Sequence, residues 1–427
     1  MRVLVIGAGA REHALVGRLA AEREVGEIVC APGNPGIARL ARTVPASLSD
    51  PAALAALALR EQIDVTVVGP ELPLSLGIAD HFASEGRLLF GPTAAASQLE
   101  SSKAFAKAFM ARHRVPTARF VTCESMDAAL GEIRSGAFGW PVVLKADGLA
   151  AGKGVVIAED RAAAEAAVAA VMTDRKFGAA GDRLVIEECL SGPEVSFFVI
   201  CDGERAVPIG SAQDHKRIFD DDRGPNTGGM GAFAPSPLVD VALTARVMRD
   251  VVEPTMAGMA GEGHPFRGFL YVGLMLTADG PKVIEFNVRL GDPEAQVILP
   301  LVDEPLLPIL VAAATGRLVR SAVRIGSERL VGVVLASRGY PESSSAGEPI
   351  SGIEAAEAIP GVAVYHAGTA QQDGRVVTAG GRVLTVVGRG ADFAEAIARA
   401  YAGVRQISFD GMQFRSDIGS KALVHQR

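Results

Sequence analysis

One stretch of this 427-residue chain carries acids, an amide and a cation at a spacing that could do chemistry: Val283-Ile284-Glu285-Phe286-Asn287-Val288-Arg289-Leu290-Gly291-Asp292-Pro293-Glu294. Strand geometry sends successive side chains to opposite faces. Glu285, Asn287 and Arg289 therefore share one face, and Phe286, Val288 and Leu290 share the other. The apolar face is an underside. The polar face presents a carboxylate, an amide oxygen and a guanidinium in a row, ahead of a turn carrying Asp292 and Glu294. Oxygen donors beside a fixed cation suit Mg²⁺ and the phosphates it carries. A solvated surface strand is the competing reading, but such strands draw on Thr, Lys and Ser, and their turns seldom add two acids.

Other segments carry chemistry of a related kind. Gly148-Leu149-Ala150-Ala151-Gly152-Lys153-Gly154 joins two apolar strands, with Lys145 near the end of the first. It departs from a phosphate-binding Walker loop: the glycine spacing is one residue short, Gly154 replaces the metal-holding Ser/Thr, and a strand follows. A mobile flap able to lay N–H groups and Lys153 over phosphates fits better than a plain hairpin turn, which rarely needs three glycines and a lysine. Glu187, Glu188 and Glu194 bracket the apolar turn at Leu190. They read either as ordinary surface carboxylates, which the residues themselves favour, or as acids receiving an adenosine. Gln213–Arg217 concentrates charge, Asp214 and Lys216 included. Gly224–Gly231, with Asn226, Thr227, Gly228 and Gly229, is too glycine-dense for a stable helix or strand and suits close approach to a ligand.

The elements that must position these groups begin with alternating strands and helices over the first hundred residues, the pattern of a doubly wound parallel sheet. Its glycine- and proline-rich turns fall at the carboxyl ends of the strands, where ligands of such sheets sit. Gly7-Ala8-Gly9-Ala10-Arg11-Glu12 is not a dinucleotide fingerprint, since Glu12 stands at the third glycine position and no acid ends the second strand. It is a tight turn able to aim N–H groups, a helix N-terminus and Arg11 at an anion; a merely compact turn is an equal reading. His13 reads as a hydrogen-bonded structural residue. Ser101-Ser102 caps a helix from Lys103 to about Arg112. A long helix is expected over 240–260, and a hairpin joins Phe269–Leu276 to Lys282–Phe286. From about Arg329 the chain becomes glycine-punctuated strands closed by a helix.

The bulk composition narrows the class. With 49% hydrophobic and 21% charged residues and net charge −7, the chain is ordinary globular protein without a general pull on nucleic acid. No apolar run is long enough to cross a bilayer, and the N-terminus is too short for a signal core, so no membrane association and a cytoplasmic setting are expected. The four scattered cysteines read as reduced thiols.

In their joint order the motifs resemble the phosphoribosylamine–glycine ligases, or glycinamide ribonucleotide synthetases, of the ATP-grasp superfamily. They run GAGAREHAL from residue 7, APGNPG from 31, VGPELPL from 68, FGPTAAASQLESSKAF from 90 and KADGLAAGKGV from 145. VIEE from 185, QDHKR from 213, GPNTGGMGA from 224, GLM from 273, EFNVRLGDPE from 285, HAGT from 366 and GGRVL from 380 complete the set. The resemblance covers nearly the whole chain. It implies a doubly wound N-terminal domain (1–102), an ATP-grasp domain (103–328) with a flap subdomain over about 121–190, and a strand-rich α+β C-terminal domain (329–427).

The resemblance further implies ATP-dependent joining of glycine to 5-phosphoribosylamine through glycyl phosphate, in purine biosynthesis. Glu285 and Asn287 would hold Mg²⁺ or Mn²⁺, and Arg289 the glycine carboxylate. Lys103, Lys145, Gly148, Gly152, Lys153 and Gly154 would meet ATP phosphates. Glu187, Glu188 and Leu190 would line adenine, and Glu194 the ribose. Gly9, Arg11, Glu12 and Asn34 would receive the ribosylamine, faced by Asp214, Lys216, Asn226, Thr227, Gly228 and Gly229, with Gly291 and Asp292 beside the substrates. A monomer or weak dimer is expected. Another ATP-grasp ligase or carboxylase acting on a purine intermediate, and a nucleotide-binding module with a dead site, are the alternative readings; the QDHKR and PNTGGMG loops speak against the first, and the intact polar strand against the second.

Overall fold

Strand β1 (Arg2–Gly7) is apolar on both faces because both are covered: Val3 and Val5 enter one core, and Leu4 and Ile6 another. The computed structural model describes residues 1–148, 154–172 and 181–424. After β1 come α1 (Ala10–Ala20), β2 (Glu27–Pro32), β3 (Arg42–Thr43), α2 (Pro51–Arg60), β4 (Val65–Val68), α3 (Glu71–Ser75), α4 (Ile78–Ser84) and β5 (Leu89–Phe90). The five strands form a parallel sheet in the order β3-β2-β1-β4-β5. The chain reverses its direction of travel across the sheet at β1, so the loops after β1 and β4 flank a crevice at the carboxyl edge. Asp50 caps α2 by accepting the Ala53 N–H at 2.9 Å, with Pro51 in the first helical position.

Two short helices, α5 (Gln98–Ser101) and α6 (Lys103–Arg112), lead into a separate antiparallel layer. It contains β6 (Phe120–Cys123), α7 (Met126–Ser135), β7 (Val142–Ala146), β8 (Val155–Ala158), α8 (Arg161–Met172) and β9 (Leu184–Glu188), with strand order β6-β9-β7-β8. The two helices share a small core with this sheet. Asp147, just past β7, takes over the start of α6, accepting from Ala104 N at 3.1 Å and Ser102 Oγ at 3.0 Å. This four-stranded layer is thereby tied to α6.

The largest sheet is built from β10 (Glu194–Asp202), β11 (Ala206–Asp214) and, after the small ribbon β12 (Arg217–Phe219) and β13 (Arg223–Asn226), β14 (Gly231–Ala234). α9 (Val241–Val247) and α10 (Glu253–Gly261) follow, then β15 (Arg267–Thr277), β16 (Gly280–Asn287), α11 (Ala295–Ile298) and α12 (Leu307–Ala314). The C-terminal part adds β17 (Arg329–Ala336), β18 (Ala346–Pro349), α13 (Ile353–Glu357), β19 (Val362–His366), β20 (Thr369–Gln372), β21 (Arg375–Ala379), β22 (Arg382–Gly390), α14 (Phe393–Val404) and α15 (Ser420–Val424). One eight-stranded sheet runs β16-β15-β10-β11-β14-β17-β22-β19. It crosses the expected limit at 328/329, because β14 pairs antiparallel with β17.

Two expectations change in detail. The helix over 240–260 contains a π-helical turn at Met248–Val252. Pro254 follows it and has no N–H to return to the preceding turn, so the hydrogen-bond ladder loosens there. The glycine-dense stretch 224–231 is not wholly loop: its ends belong to β13 and β14. That excursion is fastened from the C-terminal end by fully buried Arg415, which donates to Arg217 O (3.1 Å), Asp222 Oδ1 (2.8 Å) and both oxygens of Asp417 (2.7 and 2.6 Å). All four cysteines are free thiols, as the sequence suggested. Among the described residues no helix is long and apolar enough to cross a membrane.

His13 and His366 join the N-terminal sheet to the C-terminal part. The backbone N–H of His366 donates to His13 Nδ1 at 2.8 Å, so His13 is an acceptor and must be neutral. Their rings sit 5.6 Å apart, and Gly36 is glycine because a Cβ there would lie 2.4 Å from His13 Cε1. Burial, reinforced by His366 and Arg39, lowers His13 to about 3, and burial with Arg39 lowers His366 to about 4. The unfolded chain thus binds more protons than the folded one once pH drops below the ordinary histidine value of 6.5, and stability falls as pH is lowered. The melting temperature should decline between pH 6.5 and 5, with a shallower slope in His366→Gln; equal slopes in the two proteins would contradict this account.

Candidate active site

The polar strand sits where the three layers meet. β16 pairs with β15 in a register that slips between Gly273 and Leu274, skipping Ile284. The freed Ile284 carbonyl accepts from Lys145 Nζ at 3.1 Å, and the Val283 carbonyl accepts from Thr117 Oγ1 at 2.7 Å. Phe286, Val288 and Leu290 are buried beneath, while Glu285 and Asn287 remain partly open above. Gly273, opposite Glu285, leaves room for that carboxylate; a Cβ there would stand 3.2 Å from Glu285 Cγ.

Four cations converge on Glu285. Burial raises its proton affinity, but Lys216, Lys145, Lys103 and Arg289 outweigh that and hold the carboxyl below its usual range. Lys216 Nζ lies 2.9 Å from Glu194 Oε2 and 3.9 Å from Glu285 Oε1. Burial favours its neutral amine, yet Glu194, Asp214, Tyr271 and Glu285 keep Lys216 well above its ordinary value. Lys103 donates to the Gly148 carbonyl at 2.8 Å, and burial draws it below its ordinary value. Asp214 is pushed up to about 7 by burial and by the acids Glu294, Glu194 and Glu285, with Lys216 opposing. Glu294, raised by burial, accepts from Ser196 Oγ at 3.2 Å.

Arg289 is held on three sides: Nε to Glu71 Oε2 (3.3 Å), Nη2 to Glu100 Oε1 (2.8 Å) and Nη1 to the Leu290 carbonyl (3.1 Å). A guanidinium has five N–H bonds, so one on each Nη stays uncommitted by these contacts, the pair a carboxylate can take in a fork. Two acceptors, the Phe286 carbonyl (3.2 Å) and Glu100 Oε1 (3.1 Å), face one end of the Asn287 amide, so that end is assigned as Nδ2 and the oxygen is left for a donor or a cation. An ionised carboxylate and an amide oxygen, two residues apart on one face, fit a hard divalent ion that keeps phosphate oxygens as its remaining ligands. Among the described residues no cluster of three His, Cys, Asp or Glu side chains could hold a metal by itself.

The loops expected to receive the second substrate come together around Asp292. Arg11 donates to the Leu290 carbonyl at 3.2 Å and pairs with Glu12 at 2.6 Å. A Cβ at Gly9 would lie 3.6 Å from Asp292 Oδ2, and one at Gly229 only 2.5 Å from Pro293 Cδ. Arg382 bridges the two sides, donating to Gly228 O and Asp292 O at 2.6 Å each. Burial raises the Asp292 carboxyl, but Arg382, Arg11, the Gln296 hydrogen bond and Arg289 bring it below its usual range. Thr227 closes its loop through its N–H (2.7 Å) and hydroxyl (2.8 Å) to the Lys216 carbonyl. Asn226 pairs with Arg217 across β12 and β13.

Several expected site residues have partners or close neighbours within the chain. Glu12 accepts from Gly9 N at 2.6 Å and fills the space beside Gly69, where a Cβ would be 2.0 Å from its Oε1. Asn34 spends its amide on the Ala8 and His366 carbonyls (2.8 Å each) and Ile37 N (2.9 Å), holding the loop's shape. Glu187 is buried between Lys107 (2.9 Å) and Lys145 (3.0 Å), so it positions the lysine. Glu188 turns outward to Arg119 at 2.8 Å, and Leu190 is half-buried beyond it. Gly291 is glycine because a Cβ would meet Glu294 Oε2 at 2.4 Å. The Gly154 carbonyl accepts from Ala146 N at 2.8 Å, whereas Gly152 and Lys153 lie outside the described residues. Lys107, Glu71, Glu100 and Arg382 went unassigned in the sequence reading; each stood inside a motif or helix, but its partner lies far away in the chain.

Removing one member of the buried Lys107–Glu187–Lys145 group should be far costlier than removing an exposed pair. Lys107→Ala is expected to lose about 3–5 kcal/mol. Arg119→Ala, which breaks the exposed pair with Glu188, should lose no more than about 1 kcal/mol. Comparable denaturation midpoints for the two variants would overturn the assignment.

A family model described as "Phosphoribosylglycinamide synthetase, N domain" matches residues 1–100, its "ATP-grasp (A) domain" counterpart 101–295, and the "C domain" 330–421. A phosphoribosylamine–glycine ligase of Xylella fastidiosa (strain Temecula1) is 51% identical over 430 residues, covering 100% of this chain and 99% of that protein. One from Brucella melitensis is 48% identical, again covering 100% and 99%. The crystal structure of phosphoribosylamine–glycine ligase from Thermotoga maritima superposes with a TM-score of 0.85 at 33% identity, covering 98% of this chain and 100% of that one. The biotin carboxylase domain of Hydrogenobacter thermophilus 2-oxoglutarate carboxylase shares the fold at a TM-score of 0.74 and 18% identity, covering 97% and 91%. Three consecutive domain matches and likeness from end to end place the chain in the phosphoribosylglycinamide synthetase family.

Proposed function

We propose that this protein joins glycine to 5-phosphoribosylamine with cleavage of ATP to ADP and phosphate, giving glycinamide ribonucleotide in purine biosynthesis. The observation that carries the reading is the end-to-end likeness to phosphoribosylamine–glycine ligases at 51% identity. A glycine carboxylate is a poor acyl donor, since direct attack would have to expel oxide. Phosphorylation to glycyl phosphate supplies phosphate as the leaving group, and the ribosylamine nitrogen then attacks the carbonyl carbon. Phosphoryl transfer of this kind asks the protein chiefly for alignment and charge neutralisation. A cluster of cations around one strand answers that need.

Glu285 and Asn287 would hold Mg²⁺, or Mn²⁺ in its place, which when bound supplies positive charge to the phosphates. Lys103 and Lys145 meet the phosphates, with Glu187 and Lys107 keeping Lys145 in position. Gly148 and Gly154 flank the segment with Gly152 and Lys153, which is proposed to cover the phosphates and exclude water. The segment Glu188–Leu190 borders adenine and Glu194 the ribose. The uncommitted Nη pair of Arg289 takes the glycine carboxylate. Arg11, Asp214, Lys216, Asp292 and the 226–229 loop surround the ribosylamine, while Gly9, Glu12, Asn34 and Gly291 shape the walls. We further propose that the enzyme works in the cytoplasm as a monomer or weak dimer, without nucleic acid or membrane partners.

Product analysis with ATP, Mg²⁺, glycine and freshly generated phosphoribosylamine, omitting each in turn, tests the reading. ADP and glycinamide ribonucleotide should form only when all four are present. ADP release that requires bicarbonate in place of glycine would instead favour a carboxylase. Asn287→Ala should lower turnover by about 100-fold or more while leaving the melting temperature close to that of the parent. Near-normal activity of that variant at limiting Mg²⁺ would remove Asn287 from the metal site.

A further inference from the structure

Glu100, on α5, does more than hold Arg289: it faces the polar strand at three successive residues. Its Oε2 accepts the Val288 N–H at 2.7 Å. Its Oε1 accepts Arg289 Nη2 at 2.8 Å and lies 3.1 Å from the end of the Asn287 amide that donor–acceptor matching assigns as Nδ2. An asparagine amide is nearly symmetric in shape but not in chemistry: one end donates and the other accepts. Either end could face the ligand side of β16, and only the oxygen can bind a cation. Glu100 Oε1, already accepting from Arg289, and the Phe286 carbonyl both act as acceptors toward the same end of the amide, which favours the NH₂ there.

We propose that Glu100 is a positioning residue that sets the amide orientation of Asn287 and so decides whether the strand offers the divalent ion an oxygen. The inference rests on the metal-binding reading of Glu285 and Asn287. Its effect on Arg289 is separable, because Glu71 contacts the guanidinium but has no contact with the Asn287 amide among those described. In Glu100→Gln one end of the new amide can still accept from Val288 N–H, so the strand keeps its anchor. The other end becomes an NH₂ facing the donors of Asn287 and Arg289. Asn287 then relieves the clash by turning its oxygen toward residue 100 and its NH₂ toward the ligand side, at the cost of its 3.2 Å bond to the Phe286 carbonyl.

The test measures Mn²⁺·ATP binding by electron paramagnetic resonance, with glycine and phosphoribosylamine absent so that no turnover contributes. Glu100→Gln should weaken Mn²⁺·ATP binding by about 10–100-fold. Adding Asn287→Asp should restore most of it, because a carboxylate presents oxygen whichever way it turns. Glu71→Gln should leave Mn²⁺·ATP binding within about threefold of the parent, since a change confined to Arg289 does not reach the amide. Unchanged binding in Glu100→Gln overturns the proposal, as does a double variant no better than Glu100→Gln alone. A general loosening of the fold would lower the melting temperature of both Glu100 variants and would not be repaired by Asn287→Asp, which also counts against it. Failure of the parent protein itself to bind Mn²⁺·ATP would instead sink the metal-binding reading beneath it.

Discussion

The buried carboxylate of Glu187, held between the ammonium groups of Lys107 and Lys145, is the constraint on which the arrangement depends. Two cations this deep would be intolerable without an anion, and one anion between two cations leaves a net positive charge in the interior. That surplus points toward Glu285 and the open side of β16, where anionic ligands are expected to collect. The same group is mechanical: Lys107 belongs to α6, Lys145 to β7 and Glu187 to β9, and Lys145 also reaches the Ile284 carbonyl. One electrostatic knot therefore registers the four-stranded layer of β6–β9 against the strand that carries the polar face.

Much of the fold could be read ahead of the structure wherever a short-range rule applied. The alternation from Glu285 to Leu290 has period two over an apolar underside, and the structure buries Phe286, Val288 and Leu290 as that pattern requires. The βα alternation at the start became a parallel sheet with its glycine turns at the carboxyl edge. Asp50 and Ser102 cap the helices they precede, accepting Ala53 N–H and Phe105 N–H. His13 is a satisfied structural histidine, as its place in the first turn of a helix suggested. What these cases share is that donor, acceptor and period lie within a few residues of one another.

The rest depended on partners far away in the chain. Glu100 and Arg289 are 189 positions apart, and nothing local distinguishes Glu100 from a solvated acid. Lys107 sits in α6 between Phe105 and Phe109, where a buried lysine makes sense only once Glu187 arrives from β9. Conversely, Glu12 and Asn34 belong to glycine-rich turns that look ligand-directed, but their side chains are consumed in holding those turns. A glycine turn can be tight because it embraces a ligand or because it embraces a neighbour, and composition does not separate the two. Arg382 was visible only as part of a motif; its bridging of Gly228 and Asp292 needs β22 and the loop after β13 to meet.

The long mixed sheet has a consequence for biosynthesis. Its order places β14 between β11 and β17, with roughly a hundred residues of chain separating β14 from β17, and β22 and β19 follow later still. As the chain leaves the ribosome, the parallel N-terminal sheet can close on its own strands. The central sheet, however, exposes the free edge of β14 until β17 has been made. An unpaired edge of that kind is a template for pairing with another nascent chain. β14 is only four residues long, which limits the hydrogen bonds a wrong partner could gain. Its shortness, unremarkable in the finished protein, protects the chain during the interval when its proper neighbour does not yet exist.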